Sequence, residues 1–282
     1  MAKNFGDLPG QYNKQASAKI IILPVPFDGT STWLKGAGRG PAAVIEASAN
    51  MELYDIETNS EVYQHGIYTA KPVQTKSRVE QVIKKVEQTV AAYLKQEKFV
   101  VVIGGEHSIS LGSIKAHGDY YKNISVLQLD AHADLRESYL GSKYNHACVM
   151  ARVKEFCPIV QVGIRSLDIS EKKYIDRNRV FFAQQIIDKK NWQDQAIAKL
   201  AKKVYITIDL DVLDPSVLPS TGTPEPGGLL WYQLIDFLRK VIFKKEVVGF
   251  DAVELCPNRF DKSSDFLAAK LIYKLLSYKF KK

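Results

Sequence analysis

The stretch Ile124-Ser-Val-Leu-Gln-Leu-Asp130-Ala-His132-Ala-Asp134 carries an apolar segment of strand length straight into three side chains with metal affinity. In an extended backbone side chains alternate with a period of two, so Asp130, His132 and Asp134 are expected to leave one face and converge on one point. A second run, Val204-Tyr-Ile-Thr-Ile-Asp209-Leu-Asp211, repeats the pattern with carboxylates at i and i+2. A third, Phe99-Val-Val-Val-Ile103, is continuously apolar, as in a parallel strand covered on both faces, and ends at Gly104-Gly105-Glu106-His107-Ser108. The paired glycines are expected to let the backbone turn sharply there and deliver His107. These three ends are expected to meet in the crevice beyond the carboxyl ends of the strands, where open α/β sheets most often bind ligands.

The rest of the chain supplies the sheet. Lys19-Ile-Ile-Ile-Leu-Pro-Val-Pro, Ile159-Val-Gln-Val-Gly163, Val180-Phe-Phe182 and Glu246 to Glu254 read as further strands. Gly36-Ala-Gly38-Arg-Gly40 lacks dinucleotide-fingerprint spacing and reads as a tight turn, with Pro41 opening a short helix near Ala42 to Met51. From Ser77 to Lys95, Val79, Val82, Ile83, Val86, Val90, Tyr93 and Leu94 hold helical spacing, and Ser77 with Glu80 has the form of a capping box. A further helix is expected from Trp192 to Lys202. Strands alternating with helices imply an α/β fold with a mostly parallel sheet between helical layers.

At 282 residues, 46% hydrophobic and 25% charged, the chain is long enough for one large core, and no linker or repeat divides it. One domain over residues 1–282 is the expectation. Cys148, Cys157 and Cys256 are odd in number and unpaired in spacing, which suits reduced thiols in the cytoplasm. The N-terminal segment from Met1 lacks an apolar signal region, and no apolar run reaches the roughly 18 residues of a membrane span. The formal charge of +8 raises nucleic acid as a partner, but Lys and Arg are scattered and do not form an aromatic-interleaved stripe. The basic tail from Lys270 to Lys282 reads as a solvated helix face beside the apolar positions Leu267, Leu271, Ile272, Leu275 and Leu276.

A lone Asp-x-His is usually a hydrogen-bonded pair. Here His107, His132 and His146, three of five histidines, gather with four aspartates on three strand ends and one following loop, whereas His65 and His117 stand apart without a role. Four carboxylates and two imidazoles form an oxygen-rich set suited to a manganese pair, and no Cys-x-x-Cys zinc spacing exists. Two ions about 3.5–4 Å apart can bridge a hydroxide and make it nucleophilic near neutral pH. The surplus negative charge favours a cationic substrate over a phosphate ester.

Gly104-Gly-Glu-His107-Ser, Asp130-Ala-His-Ala-Asp134, Asp209-Leu-Asp-Val-Leu-Asp-Pro215, Ser220-Thr-Gly-Thr-Pro-Glu-Pro-Gly-Gly228 and Asp251-Ala-Val-Glu254 resemble, in order, the signatures of the ureohydrolases, the family of arginase and agmatinase. Pro26-Phe-Asp-Gly-Thr-Ser and Val162-Gly-Ile-Arg-Ser-Leu-Asp168 extend the resemblance along nearly the whole chain. It implies a three-layer αβα sandwich. It also implies two Mn²⁺ per chain, one held by His107, Asp130, Asp134 and Asp209 and the other by Asp130, His132, Asp209 and Asp211. Glu254 would grip the guanidinium with support from Thr223, His146 would shuttle protons, and Asp168 would touch substrate. Homo-oligomers, trimers or hexamers, are implied as well.

The pattern is most like agmatinase, which implies hydrolysis of agmatine to urea and putrescine, a step of polyamine biosynthesis. In arginases small polar residues follow the second aspartate of the central motif and help bind the α-carboxylate. Here Leu135-Arg136-Glu137 follow, which leaves aminopropylagmatine and guanidino acids open and disfavours arginine. A non-catalytic basic binding protein is the alternative of another class.

Overall fold

The computed structural model describes residues 4–187 and 189–281. Met1–Lys3, Asp188 and Lys282, and with them the start of the N-terminal segment and the end of the basic tail, lie outside the described residues. Eight strands form one sheet: β1 (Ile20–Val25), β2 (Ile67–Thr69), β3 (Phe99–Gly104), β4 (Ile124–Leu129), β5 (Ile159–Ile164), β6 (Val180–Phe182), β7 (Lys203–Asp209) and β8 (Glu246–Val253). Their order is β2-β1-β3-β8-β7-β4-β5-β6 and every pair is parallel. Seven strands were expected, and β2 is the addition. At three residues on the sheet edge it is too short for a period to show.

The helices are α1 (Gly40–Ser48), α2 (Val79–Leu94), α3 (Ser110–Tyr121), α4 (Val149–Val153), α5 (Ala183–Ile186), α6 (Trp192–Lys199), α7 (Trp231–Lys244) and α8 (Ser263–Lys279). Strand periodicity divides the core into two. Ile20, Ile22, Val101, Ile103, Leu127, Leu129, Ile206 and Ile208 pack with α1, α6, α7 and α8, while Ile21, Leu23, Val100 and Val102 face α2 on the opposite side. α3 and α4 continue that second layer over Ile124, Val126 and Ile159. The result is a three-layer αβα sandwich, and the strands read as unbroken apolar runs because both faces are covered.

Three local expectations change. The Ser77–Glu80 capping box does not form, because α2 starts at Val79 behind an uncapped Arg78, and the Ser77 hydroxyl accepts from Lys85 Nζ at 3.3 Å instead. Gly104 and Gly105 do not supply a positive-φ turn. A Cβ on Gly105 would stand 1.8 Å from the carbonyl oxygen of Phe27, so the glycine is there for close approach of two backbones. α8 is buried around most of its circumference, and Lys274 is drawn into ion pairs with Asp55 at 2.9 Å and Glu57 at 2.8 Å in place of a solvated face. Among the described residues no helix is long and apolar enough to cross a membrane. Cys148, Cys157 and Cys256 are unbridged.

Candidate active site

Four neighbouring strands, β3, β8, β7 and β4, end around one cavity of about 330 Å³. His107 opens a 3-10 turn just beyond β3, and Asp130 follows the last residue of β4. Asp209 ends β7, and Asp211 lies in the 3-10 turn Leu210–Val212. Glu254 follows β8. The expected two-residue alternation is not what gathers the central motif. β4 stops at Leu129, and the chain curls through a loop in which Asp134 adopts a left-handed φ of 54°. Glu254 is left-handed as well, with φ 65°. Such backbone costs about 1–3 kcal/mol for a non-glycine residue and persists where the surroundings demand it, commonly at functional sites.

Five of the six candidate ligands form two triplets that share Asp130, His107 with Asp130 and Asp134, and His132 with Asp130 and Asp211, while Asp209 stands beside them. His107 Nδ1 stands 3.2 Å from Asp130 Oδ2, 3.0 Å from Asp134 Oδ2 and 3.5 Å from Asp209 Oδ2. His132 Nδ1 is 2.8 Å from Asp211 Oδ2 and 3.7 Å from Asp130 Oδ1. Backbone amides orient the acids. His132 N donates to Asp130 at 2.6 Å, Ala131 N to Asp211 at 3.0 Å and Asp211 N to Asp209 at 3.0 Å.

The structure shows whether this set suits metal. His107 Nδ1 is buried and makes no hydrogen bond, although three carboxylates surround it. Its other nitrogen, Nε2, meets Thr207 Oγ1 at 2.9 Å, and Thr207 in turn donates to Asp251 Oδ1 at 2.7 Å. A hydroxyl that gives its proton to a carboxylate accepts from the imidazole, so Nε2 carries the hydrogen and Nδ1 turns a lone pair toward the acids. A lone pair among carboxylates is a poor arrangement for a proton-free site and the right one for a cation. Titration points the same way. Burial opposes charge on His107, yet Asp130, Asp134 and Asp209 push it well above the ordinary histidine range. Burial, then the charges of Asp211 and Asp130, lifts Asp209 far above a normal carboxylate, and burial with Asp130 brings Asp134 up to about 7. Without cations the cluster therefore retains protons, which divalent ions would displace. The residues fit a metal pair.

Glu254 Oε1 accepts the backbone amide of His107 at 2.6 Å. Thr223 and Glu254 line the same cavity. Among the described residues no hydrogen bond joins the two, and Thr223 stands exposed on the cavity wall beside Gly222. Asp168 lies at the rim, caps a 3-10 turn by accepting from Ser170 N at 3.0 Å, and pairs with Arg136 at 3.4 Å. Arg136 also lies over the Tyr139 ring, 4.5 Å from its centroid.

His146 reaches the same cavity from the loop after the central motif. Its Nδ1 is 3.0 Å from Thr30 Oγ1, which also accepts the backbone amide of His146 at 3.0 Å. Burial, reinforced by His107 and His132, pushes its imidazole down to about 4, so the ring is neutral at pH 7. Behind Thr30 sits Glu106, fully buried and accepting from Thr30 N at 2.5 Å, Thr30 Oγ1 at 2.8 Å and Ser108 Oγ at 2.5 Å. Glu106, Thr30, Thr207 and Asp251 escaped the sequence reading. Thr207 had a signal, two residues before Asp209 and so on the same strand face, and Thr30 lies in the Pro26-Phe-Asp-Gly-Thr-Ser segment that carried the resemblance without a role.

A sequence model of the arginase family matches residues 18–277. An N(1)-aminopropylagmatine ureohydrolase from Synechocystis sp. is 39% identical over 274 residues, covering 93% of this chain and 90% of its own. An agmatinase from Pyrococcus horikoshii is 34% identical, covering 91% of this chain and 90% of its own. The solved agmatine ureohydrolase of Thermoplasma volcanium shares the fold with a TM-score of 0.87 at 32% identity, covering 100% of this chain and 95% of that one.

Proposed function

Since the chain belongs to the arginase family, we propose that it is a binuclear manganese ureohydrolase whose substrate is agmatine, cleaved to urea and putrescine. The observation that carries this reading is the pair of ligand triplets sharing Asp130, with Glu254 in the same cavity. N(1)-aminopropylagmatine is the second reading, supported by the higher identity to the Synechocystis enzyme of that name. Both are guanidino amines without an α-carboxylate.

His107, Asp130, Asp134 and Asp209 would hold one ion, and Asp130, His132, Asp209 and Asp211 the other. When bound, the ions supply a hydroxide nucleophile near neutral pH and offset the charge of the acids. The remaining work falls to the protein. Glu254 opposes the flat guanidinium with its carboxylate, held in place by the His107 amide. Water adds to the guanidinium carbon, the bond from that carbon to the alkylated nitrogen breaks, and His146 delivers a proton to the departing amine. Asp168, on the rim, faces the distal ammonium in competition with Arg136. Thr223 lines the path of the alkyl chain.

One domain spans residues 1–282 in this reading, supported by a single sheet that draws strands from residue 20 to residue 253. The unbridged thiols support a cytoplasmic setting. Self-association is supported by the exposed apolar side chains Ile56, Tyr232 and Phe266 around one surface groove, and the family resemblance favours a trimer or hexamer. Urea release by Mn²⁺-loaded protein against agmatine, N(1)-aminopropylagmatine, arginine, guanidinobutyrate and guanidine tests the reading. Turnover of none of them would remove it.

A further inference from the structure

We infer that Glu106 is a positioning residue that acts through Thr30 to fix the tautomer of His146 and present Nε2 to the cavity as a proton acceptor. The inference rests on the shuttle role proposed for His146 and adds what sets it.

The hydrogen-bond count of Thr30 closes in one way. A hydroxyl has one proton and two acceptor sites. Three groups meet Thr30 Oγ1: Glu106 Oε1 at 2.8 Å, the backbone amide of His146 at 3.0 Å and His146 Nδ1 at 3.0 Å. The amide is a donor and takes one acceptor site. The Glu106 carboxylate is an acceptor, already fed by Thr30 N and Ser108 Oγ, so it takes the hydroxyl proton. The remaining site on Thr30 then accepts a hydrogen from Nδ1. Nε2, on the far edge of a ring that lines the cavity, is left with its lone pair free to take up a proton and pass it on.

The arrangement is built, not incidental. Glu106 is fully buried and among the described residues has no ion-pair partner, which is an expensive way to place a carboxylate unless its hydrogen bonds serve a purpose. It grips Thr30 by both backbone and side chain across 76 residues of sequence. The Phe27 carbonyl accepts Glu106 N at 2.9 Å, which locks the loop carrying Thr30 to the strand end carrying Glu106.

The tautomer is read directly by ¹⁵N resonances of the metal-free, histidine-labelled protein, with the His146 signals assigned by their loss in His146→Asn. Wild type is expected to show a protonated Nδ1 and an unprotonated Nε2. Thr30→Val, which keeps shape and removes the hydroxyl, and Glu106→Gln are each expected to abolish the single-tautomer signature. Orienting partners one step behind a functional group are commonly worth 10–100-fold, so kcat on agmatine should fall by about that factor. KM and manganese content should stay within about twofold, and Thr30→Ser should recover the rate. An Nε2-protonated His146 in wild type overturns the inference, since the proton then runs from Glu106 outward. Loss of manganese from Glu106→Gln also overturns it, making Glu106 a support of His107. Because the resonance measurement uses no substrate, failure of the agmatine reading would leave it standing.

Discussion

Glu254 Oε1 accepts the backbone amide proton of His107 at 2.6 Å, so one hydrogen bond sets both the innermost imidazole and the carboxylate beside it. Glutamine at 254 keeps a carbonyl oxygen for that amide and removes only the charge. Glu254→Gln should therefore retain its metal, measured by elemental analysis, while kcat/KM for agmatine falls by at least about 10². Unchanged kinetics with full metal would take Glu254 out of guanidinium recognition.

Metal dependence should follow the sharing of ligands. Asp130 belongs to both triplets, so Asp130→Asn should bind neither ion, whereas Asp209→Asn should lose at least one and Asp211→Asn should keep the His107 side. Chelation should abolish urea release and lower the melting temperature, with Mn²⁺ restoring both. An ion present at 100 times its Kd adds about 2.7 kcal/mol to stability. A fully active Asp209→Asn protein with two ions per chain would contradict the ligand set.

Substrate choice should turn on the far end of the molecule. An α-carboxylate would enter a cavity lined by Asp168, Asp211 and Glu254, where Arg136 is its cationic neighbour and is already paired with Asp168. Agmatine should be preferred to arginine by at least about tenfold in kcat/KM, a difference of about 1.4 kcal/mol. Competition kinetics on the two substrates decides it, and parity would send the assignment back to the family level.

Acid should weaken the fold through His117. Its ring is fully buried, packs 4.7 Å from the Tyr205 ring and fills the space that Gly249 leaves by lacking a Cβ. Burial pushes its imidazole down to about 4 from the ordinary histidine value of about 6.5. Between those values the unfolded chain binds a proton that the folded chain refuses. The contribution is thus complete above about pH 6.5 and disappears as pH falls to about 4, a change of about 3 kcal/mol. The difference in denaturant stability between wild type and His117→Phe, taken in chelator at each pH, should fall across this window. A difference constant from pH 7 to 4 would place the acid limb on other groups.

The sheet was legible because parallel strands buried on both faces leave unbroken apolar runs, as at Ile20–Val25 and Phe99–Ile103. The ligand types were legible because they cluster within a few residues of the ends of such runs. What joins them was not. Asp134 turns inward by a left-handed backbone, which no period-two pattern encodes. The contact from Glu106 to Thr30 spans 76 residues and leaves no local trace, and Gly105 revealed its purpose only when Phe27 was seen against it. Thr223, given a supporting part beside Glu254 by resemblance, stands on the cavity wall.

The strand order also bears on how the protein comes into being. β8 lies between β3 and β7, and among the described strands it alone joins the half-sheet β2-β1-β3 to the half-sheet β7-β4-β5-β6. Every candidate ligand from His107 to Asp211 leaves the ribosome before residue 246 does, yet until then the two halves share no edge. The nascent chain carries two unpaired strand edges, each a template for pairing with a neighbour. Long-range parallel pairing of this kind is slow to form. The candidate active site therefore lies on the seam that β8 closes, and a chain interrupted before β8 holds the candidate ligands with no sheet to bring them together.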